Sequence, residues 1–302
     1  MTAVRRRLDH ELVRRGLASS RSSARSLVSV GQVLVGGSVA LKPSRMVSAA
    51  EAVHVCGEPT RFVSRGGDKL DAALDELGVA PAGRRAVDVG ASTGGFVDCL
   101  LQRGAAEVIA VDVGWGQLDA RLRADSRVTV RERCNARYLG PADLGGAADI
   151  LTADVSFISL RTMMANFAAC TALGGHAVLL VKPQFEAGRR EVSRGKGVVR
   201  DRDVWRRVLS DVTASAACNG LVPVGVAASS LRGTAGNVEF FAHCRRIDRA
   251  ESADSVDSVH STGAHECPLP DGSRSFDLAG AVEKAIETGA KLAANSISGA
   301  SR

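Results

Sequence analysis

The sequence predicts an α/β fold, in which a seven-stranded and mostly parallel sheet follows a small N-terminal α+β domain. The chain has 302 residues, enough for one large domain and one small module. From residue 86 onward, short apolar runs alternate with amphipathic stretches, which is typical of βαβ units. Before residue 57 the order differs, because two helical stretches precede several short strands.

The N-terminal region is basic. Residues 5–14 place Leu8, Leu12 and Val13 at helical spacing, and Gly16 ends this stretch. A second helix is predicted from residue 19 to Gly31, and strands are predicted at 33–35, 39–41 and 53–55. Residues 1–50 hold nine Lys and Arg but only two acids, in a chain of net charge +6. This asymmetry indicates a module that binds a polyanion, although a solvated basic face is the alternative.

The rest of the chain predicts the large sheet. Strands are expected at 86–89, 108–113, 128–131, 149–153, 177–181, 222–227 and 238–243, with helices at 95–103, 117–123, 160–173 and 203–218. The last two strands are joined only by SSLRGTAGN, so they should form a hairpin with one antiparallel strand at the end of the sheet. Residues 248–275, rich in Ser and Asp, are predicted to be a flexible loop, and a helix resumes over 276–286.

A glycine-rich segment, VDVGASTGGF at residues 87–96, joins a predicted strand to a helix. Glycines there allow a sharp turn and a close backbone approach to a ligand. The spacing G-x-x-x-G-G differs from the dinucleotide fingerprint, but a dinucleotide site or a turn without a ligand remain alternatives. Asp112 ends the next strand, where a carboxylate can accept hydrogen bonds from ribose hydroxyls. Asp88 can bind the charged amino-acid end of a cofactor. The predicted cofactor-binding residues are Asp88, Gly90, Ala91, Ser92, Thr93, Gly94, Gly95, Phe96, Asp112 and Asn135.

Four charged residues are predicted to form one catalytic site, namely Lys69, Asp154, Lys182 and Glu239. Asp154 and Lys182 end the fourth and fifth strands, where ligands bind in open α/β sheets, and Glu239 is expected within the last strand. A lysine can act as a base only when its pKa falls below about 10.4, and burial or a second lysine has that effect. No histidine lies in these motifs, which disfavours a histidine-based hydrolase. Taken singly, each residue could instead be an ordinary salt-bridge residue.

Two resemblances follow from these motifs. The pattern RRLDHELVRRGLASSR resembles the S4 RNA-binding domain over residues 5–56. Its triplet Arg7-Leu8-Asp9 is similar to the catalytic aspartate motif of pseudouridine synthases, but we interpret it as helix surface. The chain also closely resembles the TlyA family of ribosomal RNA 2′-O-methyltransferases, which share their core with FtsJ-like enzymes. That resemblance rests on SRGGDKL, DVGASTGGF, DVGWGQL, ADVSFISL, VKPQFE and GNVEFF.

The TlyA resemblance implies a Rossmann-like class I methyltransferase domain that uses S-adenosyl-L-methionine. It implies a Lys–Asp–Lys–Glu tetrad at Lys69, Asp154, Lys182 and Glu239, and methylation of cytidine ribose in 16S and also 23S rRNA, on ribosomal subunits. A cytoplasmic location is expected from the odd, dispersed set of cysteines, which fits free thiols in a reducing cytosol. Three alternatives remain: a base-modifying RNA methyltransferase, a ribosome assembly factor with a non-catalytic methyltransferase fold, and the haemolysin activity for which family members are named.

The predicted organisation is an S4-like domain at 1–56, a linker at 57–64 and a methyltransferase domain at 65–302. Predicted RNA-binding residues are Arg5, Arg6, Arg15, Arg21, Lys42, Arg65 and Arg189, the last in a basic loop over 186–202. The seven cysteines show no C-x-x-C spacing, so we expect no metal site. No apolar run reaches the roughly 18 residues that span a bilayer, so we expect no membrane partner. The sequence leaves the oligomeric state open.

Overall fold

The N-terminal region folds as two helices against short strands. The computed structural model describes residues 5–18, 21–29, 31–56, 61–195, 197–248, 266–267 and 276–298. The N-terminal elements are β1 (Arg5–Arg7), α1 (Leu8–Arg14), α2 (Arg21–Ser29), β2 (Val33–Val35), β3 (Ser38–Val39), β4 (Met46–Ser48) and β5 (Val53–Val55). Leu8, Leu12 and Val28 form a buried core with Val33 and Val47, so the apolar stripe predicted for the first helix packs inward.

The helix predicted to start at residue 5 is wrong in its first turn. Arg5–Arg7 is a strand that pairs antiparallel with Met46–Ser48. Neither strand was predicted. Three consecutive arginines show no alternation of apolar and polar residues, and the two strands lie some 40 residues apart in the chain, beyond the reach of a local pattern.

Asp9 is buried, so the interpretation of its triplet as helix surface is wrong. Its side chain has no exposed area, and its carboxylate accepts hydrogen bonds from Arg7 Nε and Nη2, both at 3.0 Å. Arg21 and Arg25 also reach it. Hydrogen bonding from Arg7, followed by Arg25, holds the pKa of this carboxyl well below its usual range. Burial of an acid on a basic helix is possible here because guanidinium groups compensate the charge.

The large domain contains one seven-stranded sheet with helices on both faces. Its strands are β6 (Arg85–Val89), β7 (Glu107–Val111), β8 (Val128–Arg131), β9 (Ala148–Ala153), β10 (Thr171–Val181), β11 (Leu221–Ala228) and β12 (Phe240–Arg246). Its helices are α3 (Arg65–Glu76), α4 (Gly95–Gln102), α5 (Ala120–Ala124), α6 (Pro141–Leu144), α7 (Met164–Cys170), α8 (Pro183–Glu186), α9 (Arg189–Arg194), α10 (Arg202–Cys218) and, at the C-terminus, α11 (Leu278–Ser298). Short 3-10 turns cover Ala136–Tyr138 and Leu160–Met163, and β13 (Glu266–Cys267) pairs with β14 (Phe276–Asp277).

The strand order is β11-β12-β10-β9-β6-β7-β8, which confirms the predicted seven-stranded sheet. The hairpin of the last two strands is also confirmed, since β11 and β12 pair antiparallel. The antiparallel strand is not at the end of the sheet as predicted. Strand β12 lies between β11 and β10 and pairs antiparallel with both, while the other neighbouring pairs are parallel.

Both faces of the sheet are buried, which explains the continuous apolar runs of its strands. On one face, α7, α10 and α11 contribute Phe167, Trp205 and Ile286 to one core cluster. On the other face, α3 and α4 contribute Leu70 and Leu100 to a second. Within the described residues, no helix is both long and apolar enough to cross a bilayer.

Several predicted boundaries differ from the structure. The helix predicted over 160–173 ends at Cys170, and β10 begins at Thr171 and is longer than predicted. The helix predicted over 276–286 extends from Leu278 to Ser298. The basic segment predicted as a loop contains helix α9. Most of the acidic segment 248–275, and residues 57–60 of the predicted linker, lie outside the described residues.

Two histidines contact each other across β10 and β12. His176 Nδ1 and His243 Nε2 are 2.9 Å apart, and their rings are stacked with centroids 5.1 Å apart. Burial lowers the pKa of His176 to about 4, with Arg245 adding to the effect. Burial also lowers the pKa of His243 to about 3, with smaller contributions from His176 and Arg245. Both rings are therefore neutral in the folded protein at neutral pH.

We expect the His176–His243 pair to make the fold sensitive to acid. Both pKa values lie below the ordinary 6.5, so between about pH 6.5 and 4 the unfolded chain binds more protons than the folded chain. The free energy of unfolding should therefore fall as the pH decreases through this window, by up to several kcal/mol from this pair at about 1.4 kcal/mol per pKa unit. Denaturant unfolding of the wild type and of His243→Gln from pH 7.5 to 4.5 isolates the contribution of His243, because His176 and the other titrating groups are present in both proteins. Identical pH slopes for the two proteins would contradict it.

Candidate active site

The candidate site lies where the parallel strands end. In the sheet register, Val89 of β6 lies opposite Val111 of β7 and Ala153 of β9, so these strands end at one edge. Strand β12 runs the other way and begins at that edge, with Phe240 opposite Val181, the last residue of β10. Residues that follow β9 and β10, and those that precede β12, therefore meet in one place.

The glycine loop after β6 is built for close backbone approach. Gly90 has a φ of +88°, and a Cβ there would lie 2.5 Å from the Asp154 carbonyl oxygen. Gly94 has a φ of +96° and precedes the first turn of α4. A Cβ on Gly95 would collide with the Ser64 hydroxyl. Side chains at these positions would move the loop after β9 or displace α4, so the spacing of the glycines is set by packing as well as by the turn.

Asp88 provides a buried carboxylate next to this loop. Its Oδ1 accepts a hydrogen bond from Thr152 Oγ1 at 2.8 Å, and its Oδ2 has no hydrogen-bond partner among the described residues. Burial raises the pKa of this carboxyl to about 8, and the charges of Asp154 and Asp112 add to the rise. An unpartnered buried oxygen is costly unless a ligand supplies a donor. The ammonium group of an amino-acid ligand would fit this requirement.

Asp112 and Asn135 do not line the cavity described below. Asp112 accepts backbone hydrogen bonds from Ser92 at 2.7 Å and from Gly114 at 2.6 Å. Each carboxylate oxygen keeps a second lone pair that can accept a ligand hydroxyl. The Asn135 side chain accepts from the Arg137 amide at 3.1 Å and so caps the short turn at Ala136–Tyr138.

The four predicted catalytic residues form two ion pairs. Lys69 Nζ lies 2.6 Å from Glu239 Oε2, and Lys182 Nζ contacts Asp154 Oδ1. Both lysines are only 9% exposed, and α3 carries Lys69 across to the start of β12. Glu239 immediately precedes β12 and does not lie within the strand as predicted, because the regular pairing of β12 with β10 begins at Phe240.

A cavity of about 500 Å³ is lined by both ion pairs and by the glycine loop. Of the predicted cofactor residues, it is lined by Asp88, Gly90, Ala91, Ser92, Thr93, Gly95 and Phe96. Of the predicted RNA-binding residues, Arg65 lies in the lining, and it donates to the Arg232 carbonyl at 2.9 Å. The N-terminal region contributes Ser23, Arg25, Ser29 and Pro43, none of which was predicted for the site.

The other predicted RNA-binding residues have different environments. Arg15 donates to the carbonyls of Glu51 and Ser48, so its guanidinium serves packing within the N-terminal region. Arg5 pairs with Glu51 on the surface, and Arg6 and Lys42 are exposed. Arg21 contacts Asp9. The Arg189 side chain lies outside the described residues.

Sequence reasoning missed three polar contacts in and beside the site. Lys182 Nζ donates to Ser156 Oγ at 3.0 Å. Glu186, at the end of α8, accepts from Ser159 Oγ at 2.5 Å and from the Leu160 amide at 2.7 Å. Glu186 is 8% exposed, and burial raises the pKa of its carboxyl. It ties the loop that follows Asp154 to the turn that follows Lys182. Its only sequence signal was its place in the VKPQFE motif.

Within the described residues, no group of three or more His, Cys, Asp or Glu is arranged to hold a metal ion.

Comparison with known proteins gives consistent matches. The model of the FtsJ-like methyltransferase family matches residues 62–246, and that of the S4 domain matches residues 6–53. The 16S/23S rRNA (cytidine-2′-O)-methyltransferase TlyA of Mycobacterium tuberculosis is 49% identical over 261 residues, which cover 85% of this chain and 97% of that protein. YqxC of Bacillus subtilis, a candidate rRNA methyltransferase, is 43% identical and is covered over 86% of its length, against 80% of this chain.

One solved structure also covers nearly the full length. It is a candidate hemolysin from Streptococcus thermophilus, with 35% identity and a TM-score of 0.70, and it covers 95% of this chain and 96% of its own. The similarity therefore extends over the N-terminal region as well as the sheet.

We expect Glu186 to hold the loop after β9 in place. In Glu186→Ala, the Ser159 hydroxyl and the Leu160 amide lose their acceptor, which should lower the free energy of unfolding by about 1–3 kcal/mol. Glu186→Gln keeps an acceptor oxygen and should lose less. Denaturant unfolding measures stability, and hydrogen exchange at the Leu160 amide reports the contact itself.

Glu283→Ala is the matched control for Glu186, because Glu283 pairs with Arg206 at the surface. Glu283→Ala should lower the free energy of unfolding by less than about 1 kcal/mol. If protection of the Leu160 amide is the same in Glu186→Ala as in the wild type, Glu186 does not hold this loop.

Proposed function

This chain belongs to the TlyA family of FtsJ-like methyltransferases, and from this membership and the site we propose that it methylates the ribose 2′-oxygen of cytidine in ribosomal RNA, with S-adenosyl-L-methionine as the methyl donor. The target would be 16S rRNA and, as for the relative from Mycobacterium tuberculosis, also 23S rRNA. The S4 domain match supports an RNA substrate. Ribosomal subunits in the cytoplasm are the proposed partners.

The observation that carries this proposal is the presence of two Lys–carboxylate ion pairs on one cavity, beside a glycine loop. A ribose hydroxyl is a poor nucleophile until its proton is taken or shared. General acid–base groups placed at such a proton contribute about 10²–10⁴-fold to a rate. A scaffold protein has no need for four largely buried charges around one cavity, since burying charges costs free energy.

The residues present fit the methyl donor. Asp88, with its unpartnered oxygen, would bind the ammonium of the methionine moiety. Asp112 would accept hydrogen bonds from the ribose hydroxyls. The loop residues 90–96 and Asn135 would contact the rest of the molecule. When bound, S-adenosyl-L-methionine supplies an electrophilic methyl group on a sulfonium sulfur.

We assign the proton transfer to Lys182 and the positioning of the ribose to the second ion pair. In its neutral form, the Lys182 amine accepts the 2′-hydroxyl proton, and the Asp154 carboxylate stabilises the ammonium that results. The Lys182–Asp154 ion pair must therefore lose its ammonium proton before the methyl transfer. Ser156, at 3.0 Å, fixes the direction of the lysine amine. Lys69, held by Glu239, orients the ribose. The two lysines reach the cavity from different elements, Lys69 from α3 and Lys182 from the end of β10.

The proposed organisation gives each domain a single main task. An S4-like domain at 1–56 supplies RNA affinity through the exposed portion of its basic surface, and a linker at 57–64 leads to a methyltransferase domain at 65–302. Contacts with phosphates position an RNA-binding protein, while other contacts specify the site. The uneven charge of the chain supports this division.

The direct test supplies labelled S-adenosyl-L-methionine together with separated small and large ribosomal subunits. We expect label on the small subunit, on a cytidine ribose. Mapping the modified nucleotide by reverse transcription and mass spectrometry distinguishes ribose from base. Label on a base would contradict the proposed chemistry, and no label on either subunit would contradict the proposed substrate.

The role of Lys182 is tested by single-turnover methylation. Lys182→Ala should lower the rate about 10²–10⁴-fold, because it removes the proton acceptor. Lys182→Arg should fail nearly as badly, because a guanidinium remains protonated at any working pH. Affinity for the methyl donor, measured by calorimetry, should change much less than the rate.

Lys284→Ala is the control, since Lys284 is 76% exposed in its side chain and lies on α11. It should retain the wild-type rate. If Lys182→Arg is close to wild type, Lys182 acts only as a fixed positive charge, and its role as a proton acceptor must be abandoned.

A further inference from the structure

The N-terminal region contains a cluster of three arginines around one buried acid. Arg7, Arg21 and Arg25 all contact the Asp9 carboxylate. One carboxylate cannot neutralise three guanidinium groups, so the cluster carries an excess of positive charge. The three arginine side chains remain 43%, 49% and 55% exposed, while that of Asp9 is 0% exposed. The excess charge is therefore accessible at the surface.

One member of this cluster faces the active site. Arg25 lines the cavity that also holds Lys69, Lys182 and their carboxylate partners. The contact with Asp9 runs through Arg25 Nε at 3.3 Å. Ser23, Ser29 and Pro43 line the same cavity. The N-terminal region thus forms a wall of the cavity, in addition to any contact it makes with RNA elsewhere.

The cations of the cavity lining are not equivalent. Lys69 and Lys182 each have a carboxylate partner, so each pair contributes little net charge. Arg65 donates to a backbone carbonyl. Arg25 belongs to a group in which three cations share one acid. An anion that enters the cavity from the side of the N-terminal region therefore meets the positive potential of this group.

We infer that Arg25, held in place by Asp9, is a subsite for a backbone phosphate of the substrate strand, close to the ribose that is methylated. This inference rests on the proposed function. Within an RNA strand, each ribose carries a phosphate on its 3′-oxygen, beside the 2′-hydroxyl, so a cavity that brings the hydroxyl to Lys182 must also accommodate that negative charge. Guanidinium groups bind phosphate oxygens with two parallel hydrogen bonds.

Asp9 acts here as a positioning residue. An arginine side chain loses rotamer freedom when it binds a ligand, and a partner that holds it in advance lowers this cost. Arg7 and Arg21 contact the same Asp9 oxygen, Oδ2, as Arg25 does, so their charges add to that of Arg25. Asp9 itself has no exposed surface and cannot contact RNA.

Single-turnover methylation of ribosomal subunits tests the subsite. In Arg25→Ala, we expect the rate at saturating subunit concentration to fall about 10-fold, because the target ribose is held less firmly. Arg45→Ala is the matched control, since Arg45 is another half-exposed arginine of the N-terminal region that pairs with Glu51 and does not line the cavity. It should change only the subunit concentration for half-maximal rate. Equal saturating rates for Arg25→Ala and the wild type would overturn the placement beside the target ribose.

A binding measurement that needs no catalysis separates this inference from the proposed function. Subunit binding is measured against salt concentration, and loss of one phosphate contact in Arg25→Ala should flatten the log–log slope by about 0.7–0.9. An unchanged slope would overturn the phosphate subsite. If the slope is flattened in Arg25→Ala but the wild type transfers no label to either subunit, the proposed function is contradicted and the phosphate subsite still stands.

Two further variants distinguish positioning from folding. Arg25→Lys keeps the charge but not the two parallel hydrogen bonds, so it should restore the salt slope but only a fraction of the saturating rate. Asp9→Asn removes the charge that holds Arg25, and it should lower the saturating rate with an unchanged affinity for S-adenosyl-L-methionine. If Asp9→Asn unfolds the N-terminal region, Arg25→Lys still tests whether Arg25 must be held in position. A saturating rate equal to that of the wild type in Arg25→Lys would show that only the positive charge is required, and the positioning by Asp9 would be contradicted.

Discussion

The antiparallel pairing of β12 with β10 places Phe240 opposite Val181, and the site depends on this reversal. In a purely parallel sheet, a residue that precedes a strand lies at the opposite edge from one that follows its neighbour. Because β12 runs backwards, Glu239 and Lys182 lie at the same edge. Helix α3 then brings Lys69 to Glu239, and β9 brings Asp154 to Lys182. The reversal thus brings the Lys69–Glu239 pair to the edge where the parallel strands β9 and β10 already place Asp154 and Lys182.

Buried charges in the N-terminal region also have partners of opposite charge. Asp9 and Glu11 have almost no exposed surface, and arginines neighbouring in sequence and in space compensate both. In the large domain, each buried lysine has one carboxylate. In the N-terminal region, each buried carboxylate has several guanidinium groups. The first arrangement balances charge for chemistry, whereas the second leaves an excess that can attract a polyanion.

Local patterns predicted the central strands, the glycine loop and the residues that end the strands, because each of these has a signal within about ten residues. They did not predict β1, whose partner Met46–Ser48 is distant in the chain. They also missed the burial of Asp9, the contact of Glu186 with Ser159, and the place of Arg25 in the cavity wall. Each of these three features depends on which helices, strands and loops pack together in the fold. No residue type or spacing near Asp9, Glu186 or Arg25 indicates that packing. The start of β12 was misplaced because Val238 and Glu239 continue the strand pattern although regular pairing begins only at Phe240.

The buried Asp88 carboxyl has a consequence for ligand binding. With a pKa raised to about 8, it is mostly protonated in the free protein at neutral pH. A cationic group that binds its unpartnered oxygen favours the ionised form, so binding expels a proton into solution. Binding of a cationic group at this carboxyl is therefore thermodynamically linked to pH and is favoured as the pH rises.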